Sequence, residues 1–600
     1  MNTLSIPATS NKENRNSISD AASILSYITL AGGLGTIAAV GYLVVRSYTC
    51  LPFWDLWSVS IFLAGPKPSV LQWLWAQHNE HRIPLSKIVL LLDYRLFHGM
   101  DIFPLCCIFL AQLMLLSVLL YAFAAVGRMR GAVWRAAAGI SAVCLFSTAQ
   151  WENFVSGFQV AFFLVGLFFS LAMLAVLRSG AHDGVPRGTQ WKRAALAVLA
   201  GAAATYSLAN GIIVWPIMTL VAVLNRCRRN IIVFEALSGL LVGGSYLYHY
   251  KTRAAQISSL PWTRYIELIA LYIVKYVGAP MDFGHLWLAG VFGAVALIAV
   301  LLLVWRILFS SDRSPFLLLL ASLFLFVLGT AAMTAFGRMH FGTDQALSSR
   351  YSTVALLLWL SLAVWLLRFV SRRSTLAFVV VQAGLLLIIA LGAARLKYPM
   401  RQAEARRMRA STASLAILTG VFDPQVLAGV YPNAELPWRQ ASFFRQEKLS
   451  IFATALARHL NQPLSAVYRM RPQSCWGEVT TAESIVQSAG SGLRLSGWAW
   501  DPYRHEVVNE IVFAGGGRII GYATPGIWRP DLSVRLGSRT ARRAGWIGYL
   551  GAIPQNTTVA AYATVRSGLH EQACALVHAP ASPNDSAGGP VSFPAHAFGQ

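Results

Sequence analysis

Phe53-Trp54-Asp55-Leu56-Trp57 and, a little further on, His78-Asn79-Glu80-His81-Arg82 gather ionisable groups where a long apolar run has just ended. A carboxylate can take the proton of a hydroxyl held within hydrogen-bond reach. Arg82 and protonated His78 or His81 can hold a phosphate by charge-assisted hydrogen bonds. A divalent metal held by His78 and His81 is the alternative use of that pair. Three further places add similar groups: Gln150-Trp151-Glu152-Asn153, Asn210, and the stretch carrying Arg338, His340, Asp344, Arg350 and Tyr351. Blander uses exist for some of them. Glu152 and Asn153 suit the start of the following helix, and Arg350-Tyr351 suits a snorkelling cation beside an interfacial aromatic.

The elements that must position these groups are apolar. Of 600 residues 56% are hydrophobic and only 12% charged, about half the charged share of a soluble protein. Eleven apolar segments can be marked, near 22–45, 102–126, 133–149, 155–177, 194–209, 211–225, 231–250, 286–309, 314–335, 351–370 and 375–394. Lengths near the ~18-residue threshold make this a polytopic α-helical membrane protein of about eleven spans. The first run follows a polar tail, residues 1–21, and lacks a small-residue cleavage site, so it reads as an uncleaved span.

Basic residues set the expected orientation. Arg128, Arg130 and Arg135, then Arg178, Arg187, Lys192 and Arg193, then Arg226, Arg228 and Arg229 alternate with connections free of Lys and Arg. Arg306 and Arg313, and Arg368, Arg372 and Arg373, continue the series. By the positive-inside rule these loops are cytoplasmic, as is the N-terminus. The outer side then receives 46–101, the 150–154 turn, 251–285, 336–350 and everything after about 395. Within the first of these, Leu85–Phe97 is amphipathic and fits a helix lying along the interface; Tyr265–Tyr276 in 251–285 fits the same or, alternatively, a short span that would change the count.

After residue 395 the texture changes. A helical connector over 396–475 leads into short alternating runs over 476–580, which fit an antiparallel sandwich. Residues 581–600 read as a disordered tail. Cys475 and Cys574 bracket the β-rich region; in an extracytoplasmic compartment they are expected to pair. Trp498, Trp500 and Trp528 either stack on sugar rings or fill the core of that domain.

The net charge of +24 invites a nucleic-acid reading, but the cations sit in loops between spans and no binding module accompanies them. No phosphate-cradling glycine loop or metal-spaced cysteine set occurs. Acids inside the spans are almost confined to Glu235, which argues against an ion-coupled pump.

An acid soon after the first span, a long first outer loop, many spans and a trailing soluble domain together resemble the GT-C superfamily of integral-membrane glycosyltransferases, over roughly residues 20–395. The resemblance rests on Phe53–Trp57, His78–Arg82, Gln150–Asn153 and Gly337-Arg338 with Ser349-Arg350-Tyr351. The chain lacks the adjacent Asp-Glu pair of the protein mannosyltransferase branch. The resemblance implies an inverting transfer from a polyprenyl-phosphate sugar to an envelope glycan or lipid at the outer face of a bacterial cytoplasmic membrane. Asp55 would be the general base and Glu152 a second acid. His78, Glu80, His81, Arg82, Asn153, Arg338, Arg350 and Tyr351 would bind donor phosphate or acceptor. No organic cofactor is implied. A non-enzymatic glycan transporter or assembly factor, and a polymerase or ligase of lipid-linked glycans, are the competing readings.

Overall fold

The computed structural model describes residues 8–66, 69–180, 185–251, 261–309, 314–487, 490–551, 557–567, 570–579 and 588–594. They form two compact units: Met1–Ser47 with Pro68–Leu90 and Phe103–Ala403, and Tyr48–Lys67 with Leu91–Ile102 and Glu404–Gln600. The two ends of the first expected outer loop therefore fold with the C-terminal residues, and only its middle belongs to the helical unit.

Among the described residues nine helices are long and apolar enough to cross a membrane: Ser17–Ser47, Ile102–Ala125, Gly131–Phe154, Gly157–Ser179, Arg229–Leu247, Leu286–Arg306, Pro315–Phe341, Ser349–Ser371 and Thr375–Thr419. Eleven were expected. The segment 194–209 belongs to a helix, Arg187–Thr205, whose first turns carry Arg187, Lys192 and Arg193. The segment 211–225 belongs to the shorter apolar helix Ala209–Leu224, which opens as a 3-10 turn. Both bury small or apolar residues in the bundle, such as Ala194, Ala197, Ala204, Val214 and Met218. Residues 8–21, expected as a polar tail, already belong to the helix Ala8–Ser47.

Much of this apolar surface has no protein cover. Leu240 and Leu241 are 72% and 74% exposed, and Leu301 and Leu302 are 67% and 62% exposed. Soluble monomers rarely present such continuous patches; hydrocarbon solvates them without cost, while each helix satisfies its own backbone. Where helices do meet, small residues let them close in. A Cβ on Gly139 would lie 2.3 Å from the Thr29 carbonyl oxygen, and one on Gly33 would lie 2.7 Å from the Gly139 oxygen. This is the close approach that small residues permit in membrane bundles.

The two expected interfacial runs are helices, Pro84–Leu96 and Trp262–Gly278. The connector is helical too, with Lys397–Thr419 and Glu435–Gln446 as its longer pieces.

The C-terminal domain is a closed barrel, not a sandwich. Its strands are β1 Arg469–Met470, β2 Cys475–Ile485, β3 Gly492–Asp501, β4 Glu506–Val507, β5 Glu510–Gly515, β6 Arg518–Ile527, β7 Gly545–Leu550, β8 Thr558–Ser567, β9 His570–Val577 and β10 Ser592–Pro594. Around the barrel the order is β9-β2-β3-β7-β6-β5-β8, and β8 pairs back onto β9. The parallel pairing of β2 with β9 closes the ring, removing the open edges a sandwich leaves. Cys475 and Cys574 form a disulfide at that seam, Cα–Cα 5.6 Å. The interior holds Leu495, Ile511, Phe513, Trp546, Leu550 and Leu576.

Trp498 and Trp500 pack in a second small core with Leu532, Ala541 and Ala544, so they serve packing. Trp528 is 58% exposed. The expected disorder of 581–600 fails at 592–594, where β10 pairs with β8 and buries Phe593, as does Val591 beside it; 581–587 and 595–600 lie outside the described residues.

Candidate functional site

In the helical unit, the turn His78-Asn79-Glu80-His81 is a tight reverse turn. The backbone N–H of each histidine donates to the carbonyl of the other, at 2.7 and 2.9 Å, and Asn79 takes φ +50°, a conformation asparagine tolerates. The turn projects Glu80, whose carboxylate meets the Arg338 guanidinium at 2.7 Å. The Tyr250 hydroxyl donates to the Glu80 carbonyl at 2.8 Å, and the His78 ring lies 5.1 Å from that of Phe158.

Arg82 was expected as a phosphate ligand. It is buried, and its guanidinium donates to the carbonyls of Trp75 (2.9 Å) and Tyr248 (2.5 Å) while its backbone N–H donates to the Tyr246 hydroxyl. Lys87 does a similar job. Its ammonium donates to the carbonyls of Trp73 and Ala76 at 2.7 and 2.6 Å. Burial, with Arg82 nearby, pushes its pKa down to about 8. The two cations thus satisfy carbonyls at the C-terminal end of the helix Val70–Trp75, where positive charge is favoured. Arg82 thus acts as a strut for this loop.

A second cluster joins the 150–153 turn to 349–353. Glu152 accepts from the Arg350 guanidinium at 3.1 Å and from the Ser349 hydroxyl at 3.0 Å. Asn153, wholly buried, donates to the Arg350 carbonyl at 2.8 Å and to the Thr353 hydroxyl at 2.6 Å. Thr353 in turn donates to Gln150 at 2.7 Å. Asn153 is therefore a brace for Arg350, and Tyr351 is buried against Tyr276 with ring centroids 5.6 Å apart. Arg350 spends one nitrogen on Glu152 and keeps further N–H groups, its buried Nε having no hydrogen-bond partner among the described residues. Nearby expected residues are otherwise engaged. Asp344 pairs with Lys275 at 2.6 Å, Asn210 donates to Thr330 at 3.0 Å, and His340 packs on Phe341.

The helical unit therefore brings together Glu80 with Arg338, and Glu152 with Arg350, from three separate connections. The braces that sequence reasoning does not single out are Lys87, Thr353 and the tyrosines 246, 248 and 250, while Gln150 and Ser349 lie within stretches it does. The run of tyrosines just past an apolar helix was the one signal that pointed to some of them.

Asp55 belongs to the other unit. It sits in a 3-10 turn, Trp54–Leu56, that leads into the helix Trp57–Ala64. Trp54 has φ +50°, which costs roughly 1–2 kcal/mol for a non-glycine residue and persists only where surroundings over-determine it. Here they do: the Trp54 N–H donates to the Val430 carbonyl at 3.0 Å, Trp57 is buried and stacks on Phe444, and the Arg406 guanidinium lies 4.5 Å over the Phe53 ring. Asp55 itself is partly buried on this fixed backbone.

The same unit holds two further acids. Asp93 and Asp101 are both buried, and Asp93 accepts the Asp101 N–H at 2.8 Å. The Tyr48 hydroxyl donates to the Met100 carbonyl at 2.7 Å; burial first, then Cys50 and these acids, raises its pKa. An acid immediately before an apolar run, as Asp101 is, carries the ordinary signature of a helix start, which hid it.

Among the described residues no three His, Cys, Asp or Glu side chains assemble as a metal set. No protein-family model, curated protein or solved structure matches the chain.

Proposed function

We propose that this chain is a membrane glycosyltransferase of the GT-C type, moving a sugar from a polyprenyl-phosphate carrier to an envelope glycan or lipid on the outer face of a bacterial cytoplasmic membrane. The observation that carries the reading is the pair of carboxylate-held arginines, Arg338 on Glu80 and Arg350 on Glu152, built from connections between lipid-exposed helices. A phosphate whose tail stays in the bilayer reaches the protein at such connections. Guanidinium groups are suited to it because they are planar, always charged and multidentate, and a carboxylate on one edge fixes the fork while leaving other N–H groups for the ligand.

In the reaction, the acceptor hydroxyl oxygen attacks the anomeric carbon from the side opposite the phosphate. The new C–O bond forms as the bond to the phosphate oxygen breaks, and the electron pair leaves with the polyprenyl phosphate. Arg338 and Arg350 stabilise the charge that builds on that leaving group. A carboxylate takes the hydroxyl proton, the role the resemblance assigns to Asp55, and Glu152 acts by orienting Arg350. Inversion at the anomeric carbon follows from the single displacement.

Membranes containing the full chain, incubated with labelled polyprenyl-phosphate sugars, test this. Transfer of label by the wild type and its loss in Asp55→Asn are the expected results. A fully active Asp55→Asn protein overturns the mechanism, and no transfer from any polyprenyl-phosphate donor overturns the activity.

A further inference from the structure

On the outer face of the barrel, β5, β8 and β9 bring two acids to one place. Glu510 opens β5 and lies directly across from Thr564 of β8. Thr564 in turn lies across from Ala573 of β9, so Glu571, two residues along, is its diagonal neighbour. Residues paired in this way share a face, with Cβ atoms about 5 Å apart across the pair and about 7–8 Å apart on the diagonal. Ile511, Ala563, Val565 and Cys574 belong to the barrel core, so strand alternation turns Glu510, Thr564 and Glu571 outward. Glu571 lies within electrostatic reach of Glu510. Tyr468 lies within reach of both carboxylates and Tyr522 within reach of Glu510. The Tyr522 hydroxyl donates to the Leu456 carbonyl at 3.0 Å.

Thr564 separates this place from an ordinary patch of surface acid. It is wholly buried although it faces outward, and its hydroxyl has no hydrogen-bond partner among the described residues. Folded proteins seldom leave a buried hydroxyl so, because its lost hydration goes uncompensated. Arg566 stands across from Glu571 and is exposed, where water screens its charge; the buried end of the cluster is Glu510 with Thr564. We propose that Glu510, Glu571 and the Thr564 hydroxyl bind a divalent cation of the calcium class. The donors are all oxygen and two are carboxylates, which suits a hard cation rather than the sulfur- and imidazole-bound metals. Calcium takes about six to eight oxygens in loose geometry. Glu571 is exposed, so water completes the shell from that side. The bound cation neutralises two like charges, gives the Thr564 oxygen a partner and ties β5 to β9 across β8.

The test uses the purified full-length protein in detergent, stripped with a chelator and titrated with calcium chloride. The readout is the temperature at which the β-rich region becomes cleavable by a calcium-independent protease. Calcium should raise that temperature saturably, with half-effect at about 10⁻⁴–10⁻³ M, the range of weak calcium modules. Glu571→Gln changes an exposed side chain; it should match the wild type in chelator and need about tenfold more calcium. Thr564→Val removes the hydroxyl alone and should also raise the calcium requirement, which a threonine serving only the packing would not do. No calcium effect up to about 10 mM, a decade above that range, overturns the proposal, as does an unchanged calcium requirement in Glu571→Gln. An equal rise with potassium chloride at matched ionic strength also overturns it, assigning the effect to screening of the two acids.

Discussion

Glu152 and Arg350 stand 198 positions apart in the chain and meet at 3.1 Å. Around them Asn153 holds the Arg350 carbonyl and Ser349 holds the Glu152 carboxylate, so two short connections are locked into one polar unit. The side chains of the pair are 40% and 26% exposed, and a pair of that exposure contributes at most about 1 kcal/mol to stability. Its arrangement is worth more as geometry than as glue.

Arg350→Lys separates the two roles. The lysine keeps the charge and loses the fork. Thermal unfolding should shift by no more than about 1 kcal/mol of stability, while transfer from the lipid-linked donor falls by about tenfold or more. A lysine variant with wild-type transfer would remove Arg350 from the proposed phosphate site.

Asp55→Asn should reduce transfer by about a hundredfold or more, the range of a lost general base. The isosteric amide leaves the strained Trp54 backbone and its Val430 hydrogen bond in place. Membrane yield and proteolytic pattern should therefore match the wild type, which separates loss of chemistry from loss of fold.

The barrel should lose stability as pH rises. Glu510 lies at the start of β5 near Glu571, Tyr468 and Tyr522; burial, and then Glu571, push its carboxyl up to about 8. The native state holds this proton more tightly than the unfolded chain does. The contribution is thus fully present below the ordinary carboxylate range and is lost as pH rises through about 8. Glu510→Gln should flatten that decline, seen as a smaller difference in unfolding temperature between mildly acidic and mildly alkaline buffer. An unchanged slope would place the pH dependence elsewhere.

The Cys475–Cys574 bridge spans 99 residues, so the chain-entropy model gives it about 4–5 kcal/mol. It also ties β2 to β9 where the ring closes. Replacing both cysteines with serine should make the β-rich region sensitive to limited proteolysis under conditions where the wild type resists, with the helical unit's fragments unchanged. Equal resistance would show that strand pairing alone holds the seam.

The sequence by itself determined what each segment is. Run length and composition mark the apolar helices, three-to-four spacing marks Pro84–Leu96, and alternation marks the strands, because these properties depend on a residue and its near neighbours. The tertiary structure alone decided what each segment meets. Nothing local announces that Glu80 finds Arg338, that Arg82 and Lys87 cap the helix Val70–Trp75, that β8 and β2 both flank β9, or that the segment bearing Asp55 folds with residues beyond 404. Periodicity records which face of an element is apolar, or which residue is charged, and many partners satisfy either requirement. Which partner is taken follows from packing and hydrogen bonding across the whole chain, and those are summed only when distant segments have been brought together.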